Sequence, residues 1–245
     1  MLHIEHLSLG YGPTPVLHDL SLSLRPGEFA SLVGPSGSGK SSLLRAITGL
    51  LQPQTGRLEL GWKPEEVGFL FQDDALLPWR TARQNVALGL KIRGVEAKEA
   101  ERQAEGWLER LGLSGLGARY PHQLSGGQRK RVALAQVLAL HPRLLLMDEP
   151  FASLDAILRA QITEDLLEWV EREGISVLLV THDLEEALAL SDRVYILSGG
   201  PKARILREFA VPFERPRDPL VVRADPRFGP LLRELWQTLE VAVWS

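Results

Sequence analysis

Gly34-Pro35-Ser36-Gly37-Ser38-Gly39-Lys40-Ser41 fits the phosphate-binding pattern G-x-x-x-x-G-K-[ST] at every fixed position. The run before it, Phe29–Val33, reads as a buried strand, and Ser42–Leu50 after it reads as a helix. That strand–loop–helix setting is what the pattern requires. Glycines let successive backbone N–H groups turn inward as an anion nest, and the positive end of the helix dipole adds to the attraction. The expected ligand is a polyphosphate. Lys40 would reach its terminal phosphates, the Ser41 hydroxyl would ligate Mg²⁺, and Ser42 closes the candidate phosphate-contacting stretch.

Outward from the loop, alternation of apolar and polar residues over 2–9 and 20–24 predicts half-buried strands of an antiparallel layer, with Tyr11-Gly12-Pro13 in a turn. Gln52–Gly56 reads as a turn, Arg57–Leu60 as a short strand and Val67–Gln72 as a buried strand. From Asp73 to about Gln123 strand signals vanish. Val95, Ala100, Ala104, Trp107, Leu108 and Leu111 recur there at helical spacing on a polar background. This predicts a helical subdomain, about 73–135, inserted into an α/β core. Strands return at Leu144–Met147, Ser176–Thr181 and Arg193–Leu197, separated by helices at about 156–172 and 183–190. Such alternation predicts a parallel sheet with functional residues at its carboxyl edge. From Val211 the chain is rich in proline and arginine and ends in a short amphipathic stretch, Leu231, Leu232, Leu235, Trp236 and Leu239.

Two further stretches carry chemistry. Leu144–Met147 runs into Asp148-Glu149. Asp148 is placed to hold Mg²⁺, and Glu149 to orient and deprotonate an attacking water. Leu124-Ser125-Gly126-Gly127-Gln128 opens a helix running through Ala139, with the S-x-x-Q spacing of a capping box and two glycines that let a ligand approach the backbone. Spacing alone leaves two readings of that stretch: an ordinary capped helix, or a second anion-binding helix N-terminus.

Composition narrows the class. The chain has 245 residues, 44% hydrophobic and 24% charged, enough for a sizeable core. A net charge of −3 argues against a protein that coats nucleic acid. No cysteine is present, so disulfides, thiol nucleophiles and thiolate metal sites are excluded. No secretory leader is visible at Met1–His6, and no apolar run approaches the ~18 residues of a membrane span. Any membrane role must come through a partner.

The phosphate loop, Gln72, Leu124–Gln128, Asp148-Glu149, Ser153-Leu154-Asp155 and Thr181-His182-Asp183 stand in the order and approximate spacing of ABC transporter ATPase subunits. The resemblance covers essentially residues 1–210 and leaves 211–245 as a tail. It implies a P-loop NTPase fold of the ABC ATPase type: a parallel-sheet core, an antiparallel β layer and an inserted helical subdomain. It also implies roles. Tyr11 resembles the aromatic that stacks on adenine, and Gln72 the glutamine that contacts Mg²⁺ and the attacking water while sensing a membrane subunit. Ser125 to Gln128 resemble the signature that binds the γ-phosphate held by another subunit. Asp155 resembles the aspartate at the dimer interface, and His182 the switch histidine on the γ-phosphate. The ligands implied are ATP and Mg²⁺. The partners implied are a second copy head to tail, a transmembrane permease and, indirectly, a solute-binding protein, with no nucleic acid. The place implied is peripheral, on the cytoplasmic side of the inner membrane.

Asp74–Thr81, with Pro78-Trp79-Arg80 at its centre, and Arg215-Pro216-Arg217-Asp218 look like the importer ATPases for nitrate, sulfonate, taurine and similar small molecules. Pro78-Trp79-Arg80 is expected to line the groove that receives the permease, against the alternative of a helix entry with a packing aromatic. One departure stands out: Ala135-Gln136-Val137-Leu138 replaces the usual Ala-Arg-Ala-Leu. Rival classes are an exporter or lipoprotein-release ATPase, and a soluble ABC protein of DNA repair or translation. The Pro78-Trp79 stretch weighs against the first. The acidic balance, the single cassette and the lack of a long coiled-coil insertion weigh against the second.

Overall fold

The computed structural model describes residues 1–152 and 154–244. Two sheets organise them. Strands β1 (Leu2–Tyr11) and β2 (Thr14–Leu24) pair antiparallel, and β4 (Thr55–Leu60) pairs antiparallel on the other side of β1, in the order β2-β1-β4. The second sheet holds β3 (Phe29–Val33), β5 (Val67–Leu70), β6 (Leu144–Asp148), β7 (Ser176–Thr181), β8 (Arg193–Leu197) and β9 (Ile205–Ala210), in the order β5-β6-β7-β3-β8-β9. Five strands run parallel, and β9 joins β8 antiparallel at the edge.

Period-two alternation divides the larger sheet between two cores. On one face Ala30, Leu32, Leu144, Leu146, Leu178 and Val180 pack with helix α1 (Lys40–Ile47) and the apolar side of the antiparallel layer. On the other face Phe29, Val33, Leu145, Met147, Val177 and Leu179 meet the helices. These are α2 (Ala82–Ile92), α3 (Ala97–Arg110), α4 (Gly126–Leu138), α5 (Ala156–Glu173), α6 (Leu184–Leu190), α7 (Pro219–Ala224) and α8 (Phe228–Trp244). A strand buried on both faces must be apolar at nearly every position, which is why β6 and β7 read as continuous apolar runs.

The predicted helical insertion is present as α2, α3 and α4 between β5 and β6. Val95 and Leu111 sit just outside helices α2 and α3. Strand β9 was not expected, and Tyr11 closes β1 rather than lying in the turn. The segment after residue 210 is no loose tail: Val211, Phe213, Val222, Phe228 and Leu235 are buried in the main core. The terminal amphipathic stretch is a 17-residue helix whose four leucines face that core. Trp236 is the exception at 52% exposed, so it lies off the apolar face.

Arg217 fixes this segment. Its buried guanidinium donates to the carbonyls of Phe213 and Leu190 and pairs with Asp192 at 2.8 Å. Arg215 also pairs with Asp192, at 2.6 Å, and Asp192 accepts from the Phe29 N–H at the start of β3. Burial raises the Asp192 pKa, but the Phe29 N–H and the two arginines outweigh it and hold the carboxyl below its ordinary value. In this chain Arg215-Pro216-Arg217 is thus an internal staple that ties the C-terminal segment to the sheet.

Candidate active site

Four adjacent strands deliver the candidate residues to one edge. In the sheet order β5, β6, β7, β3 the strands lead into Gln72, Asp148-Glu149, Thr181-His182 and Gly34, although β5 itself ends at Leu70, two residues short of the expected Gln72. Parallel strands ~4.8 Å apart with helical crossovers gather their carboxyl ends in this way.

The loop between β3 and α1 is shaped by its glycines and its lysine. Gly39 has φ 96° and caps α1, and a Cβ there would meet Val16 Cγ1 at 2.5 Å, so both conformation and space demand glycine. The Ser38 N–H donates to the Pro35 carbonyl at 3.3 Å. Lys40 is buried, and its ammonium donates to the Gly34 and Pro35 carbonyls at 2.8 Å each. Burial lowers its pKa, and the nearby carboxylates of Glu149 and Asp148 oppose that shift. Ser38 Oγ is buried without a hydrogen-bond partner, an orphan that a phosphate oxygen in the loop would satisfy. Ser36 and Gly37 are exposed at the loop's rim, and Ser41 is half-buried on the first turn of α1.

Glu149 follows β6 with φ 43°, a left-handed conformation unfavourable for a residue with a Cβ, and its N–H donates to Val180 O at 2.8 Å. This turn points its carboxylate at the next strand end, where the His182 ring lies 3.0 Å from Glu149 Oε2. Asp148 is half-buried beside it. Lys40, Asp148, Glu149 and His182 therefore form one electrostatic group. The oxygen donors of Ser41 and Asp148 suit Mg²⁺, a hard cation that takes few protein ligands and completes its shell with water and phosphate.

Tyr11 stands over the same helix. Its hydroxyl shares a hydrogen bond with Ser42 Oγ at 3.2 Å and accepts from Arg45 at 3.1 Å, both on α1, while the residue stays 47% exposed.

Ser125–Gln128 and Asp155 assemble elsewhere. The predicted capping box is formed: the Gln128 N–H donates to Ser125 Oγ at 3.2 Å, and the Ser125 N–H donates to Gln128 Oε1 at 3.0 Å. Asp155 caps α5 by accepting from the Leu158 N–H at 3.0 Å. The two helix starts meet where a Cβ on Gly127 would strike Leu158 Cδ2 at 2.0 Å. Gly126 remains open, with Arg129 at 3.8 Å as its nearest neighbour. So of the two glycines expected to admit a ligand, one is a packing glycine. Among the described residues no hydrogen bond or ion pair joins Ser125–Gln128 to the Gly34–Ser41 loop. Ser153 lies outside the described residues. Gln136 is half-buried on α4, and nothing in the structure gives the departure there a further role.

The ABC transporter family profile matches residues 17–152, which include the phosphate loop, Gln72, Ser125–Gln128 and Asp148-Glu149. The chain belongs to the ABC transporter family. It is 44% identical over 238 residues to the nitrate import ATP-binding protein NrtC of Synechococcus elongatus, covering 94% of this chain and 36% of that protein. It is 42% identical over 237 residues to the taurine import ATP-binding protein TauB of Escherichia coli, covering 93% of this chain and 92% of that one. Among solved structures, a dimeric structure of the ATP-binding cassette MJ0796 in a post-hydrolysis state bound to ADP and Pi matches with TM-score 0.76 and 30% identity. It covers 87% of this chain and 100% of that chain. A second dimeric structure of that cassette matches with TM-score 0.77. The ABC ATPase described here is accordingly an ATP-binding α/β cassette, and no helix among its described residues is long and apolar enough to cross a membrane.

Three functional-looking residues carried no sequence signal. Lys130 and Asn85 are buried polar side chains that hold the segment after β5. Glu186, on the first turn of α6 behind His182, is 6% exposed. Burial pushes its carboxyl up to about 7, against a hydrogen bond from Thr181 that lowers it. Each sits among helical polar residues of ordinary type, and only the tertiary fold buries it.

Proposed function

We propose that this ABC ATPase powers import of a small solute through a separate membrane permease. The observation that carries the hydrolytic half is the meeting of Lys40, Asp148, Glu149 and His182 at the ends of three adjacent strands, with the His182 ring 3.0 Å from the Glu149 carboxylate. In this reading the Gly34–Ser41 amides and Lys40 hold the β- and γ-phosphates of ATP, and the Tyr11 ring stacks on the adenine. Glu149 orients a water and accepts its proton as the water oxygen attacks the γ-phosphorus. The bond to the bridging oxygen breaks in line, leaving ADP and phosphate. Lys40 and His182 stabilise charge on the transferring phosphoryl group. Mg²⁺ held by Ser41 and Asp148, with Gln72 nearby, would supply further neutralisation of the phosphate oxygens.

Ser125–Gln128 stands apart from its own chain's loop. The site is therefore completed by a second copy arranged head to tail, whose exposed Ser125 and Gly126 and helix N-terminus face the γ-phosphate, with Asp155 at the interface. The dimeric cassettes that share this fold support that arrangement.

The import half rests on the nitrate and taurine import relatives and on Trp79, which is 71% exposed beside Pro78. Pro78–Arg80 does lead into α2 at its N-cap Thr81, but Trp79 is not the packing aromatic of that alternative, and its exposed ring is free to meet a partner. The permease would dock there, near Gln72, with a solute-binding protein on its far side. In this reading the chain sits peripherally on the cytoplasmic face of the membrane. The complex isolated with its permease should hydrolyse ATP faster when one solute and its binding protein are supplied, and a cross-linker at position 79 should capture the permease. Capture of a nuclease or a ribosome instead would overturn the reading.

A further inference from the structure

Residues 71–81, between β5 and α2, carry both Gln72 and the exposed Trp79 yet form no helix or strand. Loops of this kind usually give their backbone to water. Here side chains from the helices take it. Asn85 of α2 is 0% exposed and makes four bonds: its Oδ1 accepts from the Leu77 N–H at 2.8 Å, and its Nδ2 donates to the carbonyls of Leu77 (3.2 Å), Arg80 (3.1 Å) and Thr81 (3.0 Å). Lys130 of α4 is 1% exposed, and its ammonium donates to the Phe71 and Gln72 carbonyls at 3.0 Å each, with Asp74 Oδ1 4.0 Å away. The neighbouring Arg129 pairs with Asp74 Oδ2 at 3.1 Å and donates to the carbonyl of Leu124, one residue before Ser125, at 2.9 Å.

Burying an ammonium is costly unless each of its three donors finds an acceptor, and an apolar side chain would fill the same space at lower cost. Two carbonyls accept from it here, and the Asp74 carboxylate, 4.0 Å away, balances its charge without a hydrogen bond. Burial lowers the Lys130 pKa, with Asp74 and Asp73 opposing that shift. The same helix that presents Ser125 and Gly126 therefore grips the backbone of Gln72 one turn further along.

We propose that Lys130 and Asn85 are positioning residues that fasten the Phe71–Thr81 segment to α4 and α2. The backbone of Gln72 is thereby held by the helix that begins at Ser125, and that of Leu77–Thr81 by α2, so Gln72 keeps its place relative to the signature N-terminus. This rests on the hydrolytic reading given above, in which Gln72 serves the nucleotide site.

The test is steady-state hydrolysis by the full chain together with amide hydrogen exchange, with and without ATP. Lys130→Met should lower kcat at least tenfold while KM for ATP changes less than threefold. It should speed exchange at residues 71–76 and leave residues 34–41 protected by ATP as in the wild type. Lys130→Arg, which keeps a charged donor, should restore kcat to within about threefold of wild type. Lys130→Gln, which keeps a donor at one atom's shorter reach, should fall between them and serves if the methionine variant does not fold. Wild-type kcat and exchange in the methionine and glutamine variants would overturn the proposal, as would a loss matched by faster exchange across the whole molecule. If the wild type itself showed neither turnover nor ATP-dependent protection at 34–41, the nucleotide reading would fail first.

Discussion

Gly127→Ala tests whether the signature stretch is built for packing as well as for ligand approach. An alanine Cβ at 127 would lie 2.0 Å from Leu158 Cδ2 and 2.9 Å from both Cδ1 and Cγ. Rotation about χ2 moves the methyls but leaves Cγ in place, so Leu158 must change χ1 or α5 must shift. Overpacking of this kind costs about 1–3 kcal/mol. Replacing a helical glycine returns about 0.5–1 kcal/mol of backbone entropy, so the expected net loss is centred near about 1 kcal/mol. Leu158 is half-buried, and Leu158→Ala should remove the obstruction at a cost near the low end of about 2 kcal/mol for such truncations. The double variant should then be more stable than the sum of the two single losses predicts by at least about 1 kcal/mol. Urea unfolding of all four proteins measures this coupling. Gly126→Ala, whose Cβ meets only Arg129 at an ordinary contact of 3.8 Å, should stay within about 0.5 kcal/mol of wild type yet slow hydrolysis, because its Cβ would intrude where the γ-phosphate is approached. Full stability in Gly127→Ala, or strict additivity with Leu158→Ala, would refute the packing assignment.

Two further outcomes are expected. The Glu186 carboxyl stands at about 7 in the folded chain against an ordinary 4.5, so the unfolded chain gives up this proton first, and stability falls as pH rises from about 4.5 to about 7 and then levels off. Between pH 5 and 8 the wild type should lose roughly 2 kcal/mol relative to Glu186→Gln in chemical unfolding, and a pH-independent difference would contradict this. Lys40→Ala removes charge-assisted contacts to phosphate worth about 1.5–3 kcal/mol each, so its affinity for labelled ATP should fall at least ~10-fold. Unchanged titration curves would remove Lys40 from the site.

How much of this was legible in the sequence depends on how local each signal is. The phosphate loop, β3, β7 and β8 are read at their observed boundaries because buried parallel strands must be apolar throughout and end where polar residues begin. The capping box at Ser125 and Gln128 is a four-residue pattern and forms as read. Strand β9 was missed because Ile205-Leu206-Arg207-Glu208-Phe209-Ala210 is an edge strand, half exposed and charged, lacking the apolar continuity of its neighbours. The amphipathic end was sensed from its leucines, but its length and the outward turn of Trp236 depend on how α8 lies across α6 and β8. Lys130 and Asn85 were invisible because a lone polar residue in Gly126–Arg131 or Ala82–Ile92 looks like any solvated helix position. Their burial comes from the distant segment folded over them. The arginines at 215 and 217 were recognised only as a family resemblance, and the structure gives the reason: both converge on Asp192.

The most direct measurement concerns Glu149. Glu149→Gln keeps the side chain's shape and removes the proton acceptor 3.0 Å from His182. If Glu149 activates the water and a second copy completes the site, this variant should bind ATP, hydrolyse it at least ~100-fold more slowly than wild type, and run as a dimer by light scattering when ATP is present. Hydrolysis at the wild-type rate, or a chain that stays monomeric with ATP bound, would contradict it.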